Sequence, residues 1–462
     1  MVKNMIIFLL AIIFLFSGCT LNNSADFSSS YQSKLQQSEN PVVSVNEEEL
    51  IKAESILKEV INKGANKESI EALTDFSKKC FLSGNSFYSD LSLISDTLID
   101  YSNGGEKKTD FKVRCENIIS QNNENFNLTL LDFYMLAAAC IERGKLKNSV
   151  ALSFAGDSSF GTYPQAPESL KFEPVVTKNP DYFNYPFKNC LAFFNSDSMT
   201  ILNNEAAIST RTKMVAKEWQ IKSDPKFTKM YVHGGVETVN LANNHTKDCF
   251  EDGYKDTLKS LDENNIKYFD DGKPLITTVD GIDFVFLGYD MRYRDASDSF
   301  RDRIISDIKK HKKSSNILLL SMHWGLEYNE QPTDYQKNYG RAFIDAGADA
   351  VIGGHPHIMQ GIELYKEKYI IYSMGDFCFG GDPELLSRMT AVFKLYINKS
   401  TKKISLNVIP FYENSDGKEK GSNNYQPTPQ IDEEADKIIG YLKRISEPLK
   451  YGLKEIPRDM YF

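Results

Sequence analysis

Histidine is scarce in this chain, with six in 462 residues. Several features that would settle its class at once are missing altogether. No two of the seven cysteines stand as Cys-x-x-C, so a zinc ribbon or a thioredoxin-like redox motif has no footing. Positive charge is not in excess: 54 Lys and Arg face 63 Asp and Glu, for a net charge of -9. That balance lacks the basic footprint of nucleic-acid binding, and it would repel an anionic polymer at long range unless a local cation drew it in. No internal repeat is visible, and no apolar run is long enough to cross a bilayer, which takes about 20 residues.

The longest apolar run, Met5 to Phe16, follows Lys3 and precedes Ser17-Gly18-Cys19. A single cation, a short apolar core and small residues is the order of a signal peptide. The last three residues resemble a bacterial lipobox, although Phe16 stands where Leu is usual. Residues 1–18 are therefore expected to be a lipoprotein signal peptide and Cys19 the lipidation site. The Ser/Asn/Gln-rich residues 19–44 read as a polar tether. This predicts an extracytoplasmic chain whose first partner is the membrane, reached through its lipid anchor. Export permits disulfides among the other six cysteines without requiring them, and the pairing stays open.

At 462 residues the chain exceeds one ordinary core of about 100 to 200 residues. Residues 45–145 carry helical periodicity, beginning with Leu50, Ala53, Leu57, Val60 and Ile61 and closed by Gly64, and are expected to form an all-helical domain. From Asn148 the texture becomes short apolar runs alternating with helical stretches, the punctuation of an α/β fold. The runs are Ser149 to Ala155, Thr200 to Leu202, Thr238 to Ala242, Phe284 to Leu287, Ile317 to Ser321, Ala350 to Ile352 and Tyr369 to Tyr372. A hairpin is expected over Ala391 to Pro410, and Glu433 to Ser446 predicts a last amphipathic helix. The domain limits are thus 147–413 for the α/β part and 414–462 for a C-terminal loop and helix.

Polar residues gather where these runs end, the place where open α/β sheets build their sites. Four of the six histidines are there: His245 in Asn243-Asn244-His245, His323 in His323-Trp324-Gly325, and both in Gly353-Gly354-His355-Pro356-His357. One such histidine would be an ordinary turn residue, but four at successive strand ends suggest ligands. Asp157 ends the first run and Glu205 follows the second. A buried Asp is costly unless paired or bound to a cation, and a Glu can bridge two metals. His233 and His311 read as helix ends instead. Arg211 and Lys213 are the nearest cations in sequence and could hold an acidic substrate; Glu327 and Tyr328, close to His323, could meet it as well.

The ordered series Gly-Asp, Asn-x-Glu, Asn-Asn-His, His-Trp-Gly-x-Glu and Gly-x-His-Pro-His resembles the CapA family of poly-γ-glutamate capsule biosynthesis proteins, a branch of the calcineurin-type metallophosphatases. The resemblance covers about Ser149 to Tyr396 and leaves the helical N-terminal domain outside. It implies an α/β (α+β) four-layer metallophosphatase-like sandwich. By position it also implies that Asp157, Glu205 and His357 hold one metal, that Glu205, Asn244, His323 and His355 hold a second, and that His245 is the acid or transition-state stabiliser. One or two divalent ions of Mn, Fe or Zn would suit such nitrogen and oxygen ligands. Two departures stand out. Asp157-Ser158-Ser159 lacks the His of the usual first motif, and Asp376 replaces the Asn of the usual Gly-Asn-Phe, where it could serve a metal, meet substrate or cap a turn.

The expectation is an exported lipoprotein with a metal site, acting in poly-γ-glutamate, capsule or other cell-surface polymer synthesis or export, with capsule-synthesis machinery or an anionic polymer as partner. Two alternatives use the same residues: an extracellular metal-dependent hydrolase of phosphoesters or γ-glutamyl amides, or a non-catalytic surface scaffold.

Overall fold

The apolar runs become strands that extend past their apolar cores into the polar residues at each end. The computed structural model describes residues 145–458 apart from 147, 195, 196 and 417–420. The expected signal peptide, Cys19, the tether and, but for Lys145, the helical domain lie outside the described residues.

In chain order the strands are β1 (Ser149–Ser159), β2 (Met199–Asn204), β3 (Ala207–Ile208), β4 (Lys222–Ser223), β5 (Thr238–Asn240), β6 (Lys267–Phe269), β7 (Leu275–Val279) and β8 (Ile282–Arg292). They continue as β9 (Asn316–Gly325), β10 (Ala350–Gly354), β11 (Ile362–Tyr365), β12 (Lys368–Ile371), β13 (Asp376–Phe379), β14 (Met389–Asn398), β15 (Ile404–Tyr412) and β16 (Thr428–Pro429). The helices are α1 (Phe172–Val176), α2 (Leu191–Phe194), α3 (Lys229–His233), α4 (Phe250–Glu263), α5 (Asp298–His311), α6 (Asp334–Ala346) and α7 (Asp432–Ser446).

One sheet runs β16-β15-β14-β1-β2-β5-β6, and β13 pairs with β1 as well. Strand β14 flanks Ser149 to Phe154 antiparallel, and β13 takes over in parallel at Asp157. The second sheet runs β11-β12-β10-β9-β8-β7; its four middle strands are parallel, and β7 and β11 close the edges antiparallel. Strands covered on both faces read as unbroken apolar runs rather than alternating ones. That is the pattern of Ile317 to Leu320, all buried.

The two sheets face each other. Phe154, Ile201, Phe393 and Val408 from the first meet Phe284, Leu319, Ile352 and Ile371 from the second in one core. Residues of opposite parity on the second sheet, among them Leu318, Leu320 and Trp324, pack outward against Ile304 and Ile308 of α5 and Phe343 of α6. Helix α5 starts where the Ser297 side chain accepts from the Phe300 amide. Helix α6 begins in a Thr333–Gln336 capping box and ends at Gly347, with φ of 122°, a backbone conformation that suits glycine. On the outer face of the first sheet, Phe193 and Phe194 of α2 pack on Phe411 and Phe377 at 5.6 and 5.9 Å between ring centroids. The described residues therefore form helices, sheet, sheet and helices, the expected α/β layering.

The hairpin and the last helix lie close to their expected positions. Of the segment 414–462, set apart by its polar loop, the described residues beyond that loop pack into the sandwich. Strand β16 pairs with β15, and Ile438, Ile439, Leu442 and Ile445 of α7 enter the core between the sheets. Periodicity shows that a helix has an apolar face but not where that face docks. Leu442→Ala should accordingly cost about 2–5 kcal/mol, the range for a core leucine. Denaturant unfolding measures this, and a loss near zero would make α7 a peripheral appendage.

Candidate metal centre

The parallel strands of both sheets deliver their C-terminal ends to one edge of the sandwich. Strand β1 is irregular there, with register shifts on either side of Asp157 that set it opposite Asn203 on one flank and Asp376 on the other. Bulges of this kind re-aim a side chain. Two glycines make the approach possible. A Cβ on Gly156 would lie 1.9 Å from the Gly375 carbonyl oxygen, and one on Gly354 would lie 2.7 Å from Asp157 Oδ1.

Asp157 is buried; its Oδ1 accepts from Asn203 Nδ2 at 2.7 Å and its Oδ2 from the His355 amide at 2.9 Å. Glu205, directly after β2, is anchored by its own amide, which donates to the Ser158 carbonyl at 2.8 Å. His323, near the end of β9, sets Nε2 3.3 Å from Glu205 Oε1 and 2.6 Å from Asn244 Oδ1. The His355 ring lies 4.7 Å from that of His323. His357 stacks on Phe379 at 4.9 Å and places Nδ1 2.8 Å from Asp376 Oδ1 and 3.8 Å from Asp157 Oδ2. His355 and His357 have φ of 92° and 58°. Non-glycine residues pay about 1–3 kcal/mol each for such backbone, which persists mainly at functional sites.

Within this cluster, ligand atoms of Glu205, His323 and His355 lie within 4.8 Å of one another, as do those of Asp157, His357 and Asp376. Neither carboxylate oxygen of Glu205 has a hydrogen-bond partner, nor has His355 Nδ1. Burial, reinforced by the charge of Asp157, pushes the Glu205 carboxyl well above its ordinary 4.5. Burial also lowers His323 to about 4 and takes His355 well below 6.5. The His323–Glu205 contact is thus no ion pair at neutral pH; it is a neutral imidazole beside a carboxyl group that lacks a counter-charge. Orphaned carboxylate oxygens and neutral imidazoles form a nitrogen and oxygen donor set that fits a divalent transition metal.

His245 stands one step behind. Its Nε2 is 4.0 Å from Glu205 Oε1, and its Nδ1 is 2.8 Å from Asp248 Oδ2. Lys217 Nζ lies 3.1 Å from that Nδ1 and 2.6 Å from Asp248 Oδ1, and it donates to the Asn244 carbonyl at 2.8 Å. Burial brings His245 down to about 4, despite the opposing hydrogen bond to Asp248. In the metal-free site it is therefore a neutral, rigidly held imidazole rather than a charged acid.

The expected residues do not all converge. Arg211 is exposed and committed elsewhere: Nε is 2.8 Å from Asp256 Oδ2 and Nη1 3.7 Å from Asp252. Its proximity to Glu205 in sequence is undone by the turn into β3. Lys213 sits over the Phe250 ring. Asp376, expected among the substrate contacts, is buried against His357 because β13 pairs at the irregular end of β1. Glu327 is exposed yet keeps an oxygen within 4.8 Å of ligand atoms of His355 and His357, and the half-exposed Tyr328 ring lies 6.0 Å from His357. His233 and His311 close α3 and α5, as expected for helix ends. Sequence reasoning missed Asn203, Lys217 and Asp248. Asp248 was within reach as the third residue after His245, and Asn203 as the first residue of the Asn-x-Glu motif; Lys217 carries no local signal.

Fold and site together define an α/β protein with a metallophosphatase-like arrangement and a potential metal centre between two sheets. The family described as bacterial capsule synthesis protein PGA_cap matches residues 151–381, half of the chain, and the chain belongs to that family. It is 27% identical over 282 residues to the PGA biosynthesis protein CapA of Bacillus subtilis (strain 168), covering 54% of this chain and 70% of that one. It is 30% identical over 184 residues to the capsule biosynthesis protein CapA of Bacillus anthracis, covering 35% of this chain and less than half, 45%, of that one. A shorter stretch of 92 residues is 33% identical to a probable polyglutamine synthesis accessory protein of Mycobacterium tuberculosis (strain CDC 1551 / Oshkosh), covering 20% of this chain and 23% of that one.

The raised Glu205 value sets a pH dependence. A carboxyl raised on folding contributes stability that is complete below its unfolded value of 4.5 and is lost as pH rises through its folded value. Metal-free wild type should lose stability relative to Glu205→Gln as pH rises above the ordinary carboxyl value. Thermal unfolding of chelator-treated proteins reads this directly, and a difference that is constant with pH would contradict the burial of an unpartnered carboxyl.

Proposed function

We propose that this chain is a metal-dependent protein of capsule or poly-γ-glutamate synthesis, exported and held to the membrane by lipid on Cys19. The observation that carries the metal dependence is Glu205, buried between His323 and His355 with both oxygens unpartnered. The family and the names of its relatives support the polymer. Asp157, Glu205 and His357, and Glu205, Asn244, His323 and His355, are the residues that would hold the ions. A bound divalent ion supplies Lewis acidity and a nucleophilic water.

The protein's own residues then divide the remaining work. His355 and His357 present their imidazoles from a strained loop, and Asn203 orients Asp157. The 2.8 Å contact to Asp248 favours the Nδ1–H tautomer of His245 and turns its Nε2 lone pair toward Glu205, where it can accept a proton or orient a hydroxyl group. Lys217 fixes Asp248 and brings positive charge close to an anionic substrate. This dyad favours catalysis over a purely structural site, with a phosphoester or a γ-glutamyl amide as the bond to be cut, because activated water does not itself choose between phosphorus and carbonyl carbon.

The test is metal content of the purified full chain, with assays on a chromogenic phosphodiester and on poly-γ-glutamate. Wild type should retain Mn, Fe or Zn, and His323→Ala should lose most of it. His245→Ala should keep the metal and lower turnover about 10²–10⁴-fold, the range for a positioned proton-transfer group. Metal retention with no turnover on either substrate would favour an assembly role. Failure of wild type to bind any divalent ion, with His323→Ala indistinguishable, would remove the reading.

A further inference from the structure

A second carboxylate cluster adjoins His357 through Asp376. Asp376 opens β13; Asp382 follows its turn, its Oδ2 accepting from the Leu386 amide at 2.7 Å; and Glu413 directly follows β15, its amide donating to the Arg388 carbonyl at 2.9 Å. One oxygen of each lies within 4.8 Å of the others, and all three residues are buried, with exposures of 1%, 7% and 1%. Both oxygens of Glu413 lack any hydrogen-bond partner. Asp382 and Glu413 also lie beyond residues 151–381, the part matched to the family.

We propose that Asp376, Asp382 and Glu413 form a second, all-oxygen site, adjoining the first centre at Asp376, for a hard divalent cation of the calcium or magnesium class. Three carboxylates this close cannot all ionise in a buried setting without a counter-charge. The charges that act on Glu413 are those of Asp376, Asp382 and Asp157, all negative, so they add to burial in raising its carboxyl. The spacing suits one ion: oxygens held about 2.3–2.6 Å from a calcium are at most about 5 Å apart. The set contains no imidazole, which separates its preference from that of the His323 centre and favours oxygen-seeking ions. An ion there would also neutralise Asp376, whose Oδ1 meets His357 at 2.8 Å, and so couple this site to the orientation of a proposed metal ligand.

The full chain, stripped with chelator and resaturated with Mn, would be titrated with Ca or Mg by calorimetry, its ion content measured and its thermal unfolding followed. Wild type should take up about one further equivalent and unfold at higher temperature, as linkage requires of a ligand that binds only the folded form. Glu413→Gln and Asp382→Asn, near-isosteric changes, should each weaken that uptake at least about tenfold while keeping Mn at the first centre. His323→Ala should lose Mn and keep the Ca or Mg uptake, which separates failure of one site from failure of the other. No added equivalent in wild type, or uptake by Glu413→Gln equal to wild type, would overturn the site and mean that its carboxyls are neutralised by protons.

Discussion

A carboxylate taken out of water without a hydrogen bond or a counter-ion is among the costliest things a fold can contain, and Glu205 is in that position. Its burial follows from the architecture. Strand β2 is central in its sheet, with β1 on one side and β5 on the other, so the residue that follows Asn204 emerges beneath the loops of the second sheet. The sheets are locked face to face by aliphatic and aromatic side chains. Relieving Glu205 by moving it outward would uncover part of that core. A carboxylate held this way is neutralised by a proton, which its raised value reflects, or by a cation held by the imidazoles beside it.

The same burial acts with opposite sign on the histidines. Desolvation penalises the imidazolium, so His245, His323 and His355 are neutral at physiological pH, the form in which imidazole offers a lone pair to a metal. A low-dielectric pocket that forces carboxylates up and histidines down prepares a mixed donor set for a cation without any residue being special by itself. Supporting interactions then fix direction: Asn203 on Asp157, Asp248 and Lys217 on His245, and Phe379 under His357. The positive φ at His355 and His357 is tolerated because β10 is pinned between β9 and β12 while the Pro356 carbonyl accepts from Tyr328.

Charge is unevenly spread around this edge. The neighbourhood of Glu205 mixes nitrogen and oxygen donors, whereas Glu413 shares its cluster with the carboxylates of Asp376 and Asp382, and Asp376 borders both through His357. Chemistry at the first centre favours borderline metals and at the second hard ones. The rim carries Glu327 and Tyr328, exposed above buried imidazoles. An acidic chain with a net charge of -9 thus concentrates its need for positive charge at one edge of the sandwich, where Lys217 is the cation that contacts the His245–Asp248 pair.

Much of this was legible in the residues alone, because strand ends leave a local mark. An apolar run that stops at Asn, Asp or His names both a strand and the polar group at its tip, and His245, His323, His355, His357, Asp157 and Glu205 were all found that way. Their order along the chain sufficed to suggest a metal site and a family. What the sequence could not contain was which tips meet. Arg211, six residues from Glu205, turned away to Asp256, while Lys217, twenty-eight residues before His245, came to its side. Asp376 was visible as a charged residue where a neutral one is usual, but its burial depends on β13 joining β1 in parallel after β14 has left off. Glu413, at the end of the expected α/β part, carried no local mark; the ends of β15 and β13 bring it against two other carboxylates. Local pattern is set by bonds between near neighbours and survives in one dimension; desolvation and charge coupling depend on distances across sheets, and those exist only once the two cores have closed.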